Sequence, residues 1–433
     1  MSNPVGPPIR RAAFHCLWVA ALVAQLGIAC DGAETESSPS PHPNILLVVI
    51  DSLRADHLKS YGYVRETSPT LDRLAREGAR FEIAFSPTSW ALPSLVTLLT
   101  GLPPEQHRVD RADLALSDDA LTLTEVLKDA DFVTAAFVGG RDSEPSRGLS
   151  QGFDRYKFVS QNTPDGGEVG SEAVSWLTGW NLAGRAKPFF LFVQLPLDAS
   201  DGALLPIASP GPVASDATTL EAAISSYERR IGYADSQLEV ILQKLSQLEL
   251  SRETVVVVTA SHGEEFLERG SIGHGNTLHW ESVRVPLIVR YPRLIDAGKL
   301  IVQPARLMDI GTTLLMLARV REPVEFGFSF RDRNLNRDLT EFLVGEWNGE
   351  DVLIGGDLAG KSQSIQHAGY KLIKRGDEQI ELFDMTLDPD EKHDLSGSEI
   401  RRTEVYLKKL RTWRGVCEER PHFARAQLAD GQP

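Results

Sequence analysis

Four apolar, mostly β-branched runs punctuate the chain: NILLVVI (44–50), FFLFVQL (189–195), TVVVVTA (254–260) and VPLIVRY (285–291). A strand solvated on one face alternates polar with apolar side chains, so runs without alternation predict strands covered on both faces. Between them lie segments of helical period: SPTLDRLAREG (68–78), LPSLVTLLTG (92–101), TLTEVLKDA (122–130) and the long stretch 218–250. Strands that alternate with helices predict an α/β fold, an α/β/α sandwich around a mostly parallel sheet. In such sheets ligands sit beyond the carboxyl ends of the strands, which singles out Asp51, Gln194, Ser261 and His262. After residue 320 the pattern changes. GYKLIKRGDEQIELFDMTLDPDEKHDL reads as short alternating strands joined by Gly-Asp turn chemistry, so a smaller C-terminal α+β subdomain is expected over 321–433. Residues 197–217 read as a long loop.

The N-terminus changes the picture of where the chain works. Arg10 and Arg11 precede the apolar run AAFHCLWVAALVAQLGIA, and Ile28 and Ala29 lead into Cys30. A basic region, an apolar run and small residues before a Cys read as a bacterial lipoprotein signal. The expected organisation is a signal peptide over 1–30, lipid on Cys30, a polar Pro/Ser-rich linker over 31–42 and the α/β domain over 43–320. That places the protein in a bacterial cell envelope, exported and attached to a membrane through its N-terminal lipid, facing the periplasm or the cell surface. Of the three cysteines, Cys16 falls in the signal and Cys417 has no remaining partner, so no disulfide framework is expected. A length of 433 residues with 42% hydrophobic content supports a large core, and a net charge of −15 argues against nucleic acid as a partner.

The segments NILLVVIDSLRADHLKSYGY, SPTLDRLAREGARFEIAFSPTSWALPSLVTLLTG, TASHGEEFLERGSIGHGNTLHWESVRVPLIVRYP and KLIKRGDEQIELFDMTLDPDEKHDL occur in that order. Together they resemble the sulfatase family of the alkaline phosphatase-like superfamily, in its DxLRADHL, TxPS and DHGEEF branch. The resemblance covers roughly residues 43 to 396. It implies an alkaline phosphatase-like sandwich and metal-assisted attack on a sulfate or phosphate ester, with oxygen ligands holding Ca2+, Mg2+ or Mn2+. The family's nucleophile is a Cys or Ser converted to formylglycine in CxPxR, or a Thr in TxPS, at the start of a helix where an anion is favoured.

Carried onto this chain, the nucleophile position is Ala91, followed by Leu92, Pro93, Ser94 and Leu95. A methyl group can neither become an aldehyde nor attack an ester, and Leu95 replaces the arginine that would hold the modified nucleophile. Asp51 matches the first metal ligand, Ser52 stands where many sulfatases have a second Asp, and the DHG motif becomes Ser261, His262, Gly263. With Ser261 at a ligand position, no tightly bound cation is expected. Gln194 and the residues after it replace substrate-binding histidines, Arg269 replaces a His, and His274 matches its family position.

Several alternatives stay open at this point. His262 and His274 could contact an anion or metal, or serve as buried structural groups. Together with Asp51, Glu264 and Glu265 they could also form a zinc site. Thr88, Ser89 and Ser94 could supply a hydroxyl nucleophile, while Thr88 or Ser89 could equally cap the helix that follows. Arg54, Asp56 and Arg284 read as structural ion pairs, and Asp309 as a helix cap. The expected function is a sulfatase-like envelope lipoprotein impaired or inactive as a sulfuric ester hydrolase, with a sulfated or phosphorylated glycan or lipid as its partner. The alternatives are an active ester hydrolase or transferase with a rearranged site, and a structural or binding protein on the same scaffold.

Overall fold

The computed structural model describes residues 42–159, 168–197, 217–321, 352–356, 362–376, 379–418 and 424–426. The expected signal, Cys30, all of the linker except residue 42 and the loop over 198–216 lie outside the described residues.

The four apolar runs become β1 (Asn44–Ile50), β5 (Phe189–Leu195), β6 (Thr254–Thr259) and β7 (Arg284–Arg290). Every residue of β1, β5 and β6 is buried, which is why these sequences show no alternation. The sheet is completed by β2 (Ala79–Phe85), β3 (Val133–Val138), β4 (Arg155–Phe158), β8 (Lys299–Ile301) and β9 (Ala305–Arg306). Its order is β8-β2-β7-β6-β1-β5-β3-β4, with β9 also beside β2. β1 runs parallel to β5 and β6, its Val49 level with Gln194 and with Thr259. The residues just past these strands therefore emerge side by side at one edge. β7 is antiparallel to both β6 and β2, making the sheet mixed.

The helical periods become α1 (Pro69–Glu77), α2 (Ala91–Thr100), α3 (Leu123–Asp129) and α5 (Ala217–Gln247), joined by α4 (Val169–Leu182) and α6 (Met308–Leu317). α4 packs on β3 and β5, and α1 on β2 and β7. All ten residues of α2 are buried, so the segment that begins at Ala91 is a core helix. Thr122 and Glu125 form a reciprocal capping box at the start of α3.

A second, antiparallel sheet contains β10 (Val352–Gly356), β11 (Ser362–His367), β12 (Tyr370–Arg375) and β13 (Gln379–Asp384) in sequence order. Ala368 and Gly369 both have positive φ between the paired His367 and Tyr370, as a tight two-residue hairpin requires. α7 (Ile400–Glu418) closes this sheet, placing Tyr406 and Leu410 on Ile365, Leu372 and Leu382.

Candidate functional site

Asp51 follows β1 and is tied to β5 by its backbone N–H, which donates to the Leu195 carbonyl at 3.0 Å. Its side chain is buried, 6% exposed, and both carboxylate oxygens are engaged. Ser261 Oγ donates to Oδ1 at 2.5 Å, and Gln194 Nε2 donates to Oδ2 at 2.5 Å. Ser143 in turn donates its hydroxyl to Gln194 Oε1. Gly140, at φ +88°, closes over this pair: a Cβ there would stand 3.6 Å from Asp51 Oδ2 and 3.8 Å from Gln194 Nε2. Ser52 adopts a left-handed backbone at φ 56°, and its buried Oγ has no hydrogen-bond partner among the described residues.

Ala91 is the first residue of α2. The expectation that Thr88 or Ser89 caps this helix is not met, because the N-cap is Trp90 and no side chain makes the capping bond. Thr88 Oγ1 instead donates to the Trp90 carbonyl at 2.9 Å, and it lies 2.9 Å from Ser94 Oγ, which lies 2.7 Å from Ser86 Oγ. Ser89 is fully buried and its Oγ has no partner among the described residues. An activated hydroxyl needs a base within hydrogen-bond reach. The contacts of Thr88 and Ser94 are other hydroxyls, the Trp90 carbonyl and the Trp90 N–H, none of them a base.

The two histidines do come together. Their rings lie 4.3 Å apart at 31°. His262 is 1% exposed, and its Nδ1 bonds the Gly263 carbonyl at 2.8 Å. Burial first, and the neighbouring His274 second, hold its pKa well below the usual histidine value, so it is neutral at pH 7. His274 Nδ1 lies 3.0 Å from Glu264 Oε2, with 23% of the His274 side chain exposed. Glu265 accepts from Ser271 at 2.6 Å, Thr277 at 2.9 Å and Ser282 at 3.1 Å, which braces the hairpin around it.

Other singled-out residues are structural. Arg54 pairs with Asp56 at 2.8 Å and Glu268 at 2.5 Å, and donates to the Glu264 carbonyl at 2.9 Å. Arg284 differs from the ion-pair expectation: it donates to the Glu82 carbonyl at 3.0 Å and lies over the Trp280 ring at 4.9 Å. Asp309 does not cap α6, whose N-cap is Leu307. It holds the Arg306 guanidinium at 2.6 Å and the Arg306 N–H at 3.1 Å. Arg269 reaches Glu281 at 2.8 Å and the carbonyls of Asp390 and Glu391 at 2.8 and 3.0 Å, fastening the C-terminal segment.

The sulfatase family profile matches residues 43–320, and the profile for the C-terminal part of N-sulphoglucosamine sulphohydrolase matches residues 275–412. The chain belongs to the sulfatase family. Mouse steryl-sulfatase is 26% identical, over 76% of this chain and 69% of the relative. The dog N-acetylgalactosamine-6-sulfatase is also 26% identical, over 76% of this chain and 72% of its own length. The ulvan-active sulfatase of Formosa agariphila is 25% identical over 67% of this chain, which spans 64% of that enzyme. Among solved structures, the phosphonate monoester hydrolase of Agrobacterium radiobacter superposes with a TM-score of 0.70 at 19% identity, covering 87% of this chain and 96% of its own. A structure in complex with its substrate D-glucosamine-2-N,6-O-disulfate gives 0.67 at 18%, covering 87% and 98%. At these identities the superpositions establish the shared α/β fold alone.

The family's divalent cation does not fit the residues of this sulfatase. A hard dication needs several oxygen ligands, with carboxylates offsetting its dehydration. Asp51 is the carboxylate at this edge, and a hydroxyl and an amide direct hydrogens at its two oxygens. Among the described residues no group of three or more His, Cys, Asp or Glu could hold a metal ion, which also leaves the zinc alternative without support. Sequence reasoning found Asp51, Gln194 and Ser261 but missed Ser143, Ser86 and Gly140. The repeated glycine of FVGGRDS, just past a strand, was the available signal for a close backbone approach.

Proposed function

We propose that this chain is an exported, envelope-anchored member of the sulfatase family that recognises a sulfated glycan and does not hydrolyse it. The observation that carries the reading is the pairing of a methyl group at the nucleophile position, Ala91, with an Asp51 carboxylate already bound by Ser261 and Gln194. Ester hydrolysis on this fold needs an attacking oxygen and a charge to neutralise the ester, and these residues supply neither. The glycan is favoured by what similar proteins act on: an N-acetylgalactosamine-6-sulfatase is among the relatives, and one structural neighbour was solved with a disulfated glucosamine as its substrate. In this reading His274, partly exposed and with Nδ1 3.0 Å from Glu264, donates from its other ring nitrogen to a sulfate oxygen as the imidazolium. Anchoring through Cys30 rests on the basic, apolar and small-residue pattern before it, and a mature N-terminus lacking lipid by mass spectrometry would remove it. The binding reading is tested by calorimetric titration with N-acetylgalactosamine 6-sulfate and sulfated glucosamine, with ion chromatography for released sulfate. Saturable binding without sulfate release, weakened in His274→Ala, is expected. Sulfate release, or no binding to either sugar, contradicts the reading.

A further inference from the structure

A line of hydrogen bonds crosses the carboxyl ends of the large sheet and follows the order of the strands. Ser86, just past β2, donates to the Ser261 carbonyl at 2.5 Å. Ser261, past β6, donates to Asp51 Oδ1 past β1, and Gln194 on β5 donates to Asp51 Oδ2, both at 2.5 Å. Ser143, past β3, donates to Gln194 Oε1, and Tyr156 on β4 donates to the Ser143 carbonyl at 2.7 Å. β6, β1, β5 and β3 are successive neighbours in the sheet, so the bonds through Ser261, Asp51, Gln194 and Ser143 join one strand end to the next, while the Ser86 bond reaches across β7 from β2 and Tyr156 reaches in from the second residue of β4. The polarity of the line is fixed. The Asp51 carboxylate only accepts, which turns the Gln194 NH2 toward it and leaves the amide oxygen to accept from the Ser143 hydroxyl; the reverse orientation would set an oxygen against a carboxylate. Ser86, Asp51, Ser261, Gln194 and Ser143 are all buried, where a satisfied polar network is strong and a broken one costs the desolvation of every orphaned group.

We propose that this line is a structural seam: protein hydrogens on Asp51 do the cross-linking that a divalent cation would do at the same edge, and the folded state of this sulfatase is independent of divalent metal. The seam assigns Gln194 and Ser143 a positioning role that neither their place in the sequence nor the family pattern gives them. It rests on the reading of Asp51 as withdrawn from metal and not on glycan binding, so loss of the glycan reading leaves the following measurements unchanged.

The test compares metal content by mass spectrometry and melting temperature in EDTA, in calcium and in magnesium, for the full chain and two variants. The parent is expected to carry far less than one dication per chain and to melt at the same temperature in all three conditions. Gln194→Leu, which keeps the bulk but removes both amide contacts, is expected to melt several degrees lower. The double variant Gln194→Glu, Ser261→Asp gathers carboxylates at positions 51, 194 and 261. It is expected to melt below the parent in EDTA and to recover in calcium, because a ligand that binds only the native state stabilises it. A parent that holds stoichiometric metal or melts earlier in EDTA overturns the proposal, as does a Gln194→Leu protein as stable as the parent. Should Gln194→Leu fail to fold, the parent's metal content and its response to EDTA decide.

Discussion

Asp51 shows how a buried carboxylate can be held by protein hydrogen-bond donors. An isolated buried carboxylate is costly, and it must be met by a cation or by hydrogen-bond donors. Here the donors are Ser261 and Gln194, one on each oxygen. Ser261→Asp alone is therefore expected to fail as a restored metal ligand. It places a second carboxylate where a hydroxyl now lies 2.5 Å from Asp51, while Gln194 still occupies the other oxygen. Two like charges at that separation repel strongly in a buried setting. The variant should melt below the parent in EDTA, with no more than a small rise in calcium; a full calcium-dependent recovery from this single change would show that Gln194 does not block the site. Asp51, Gln194 and Ser261 were legible in the sequence because each sits where an apolar run stops. Their partners were not, since Ser143 reaches Gln194 only because β3 lies beside β5, and strand order is not written in periodicity. The helix start at Ala91 was placed within a residue, but its cap was misread: the Thr88 hydroxyl turns to the Trp90 carbonyl and the Ser94 hydroxyl instead of the helix N–H groups.

Among the elements, the joint between the large sheet and the C-terminal sheet is a buried charge cluster. Glu391 has a fully buried side chain, with Lys371 of β12 at 2.8 Å, His279 at 3.4 Å, and the Trp280 N–H donating to it at 2.7 Å. Burial opposes the charged form of Glu391, but Lys371 and His279 outweigh it and bring its pKa down to about 2. For Lys371 burial is the larger effect, and its pKa is lowered despite Glu391. Breaking one side of such a pair leaves an uncompensated buried charge, so Glu391→Gln is expected to cost on the order of 3–5 kcal/mol in urea denaturation. Adding Lys371→Met should recover part of that loss; a double variant less stable than Glu391→Gln would mean that the pair is not the source of the cost. β12 and β13 of this sheet fall in the segment whose sequence reads as short strands, but Lys371 reads there as an outward polar position. Only the layer formed by Trp280, His279 and Glu391 explains why a lysine is 2% exposed within a strand.

For the whole molecule, buried histidines set the acid limit. Burial lowers the pKa of His57, and takes that of His107 down to about 3. Unfolding frees both to titrate near the ordinary histidine value of about 6.5. Above that pH the two states bind equal protons at these sites; below it the unfolded chain binds more, so stability falls as pH falls. Each such histidine contributes a slope of at most about 1.4 kcal/mol per pH unit. Glu391 adds to this, since its stabilisation is present above its unfolded value and is lost as pH drops toward about 2. The urea midpoint is expected to be lower at pH 5.5 than at pH 7.5, and a higher midpoint at the acid pH would contradict the assignment. Family membership and architecture make this a sulfatase by descent, and the proposal that it does not hydrolyse esters rests on Ala91 at the start of a core helix and on the hydrogen bonds that hold Asp51. The most direct measurement is turnover of an aryl sulfate and an aryl phosphate by the purified full chain and by Ala91→Ser, with calcium, magnesium or manganese at saturating concentration. The account predicts rates indistinguishable from the uncatalysed background for both proteins and all three metals, whereas a metal-dependent rate from the parent that EDTA abolishes would contradict it.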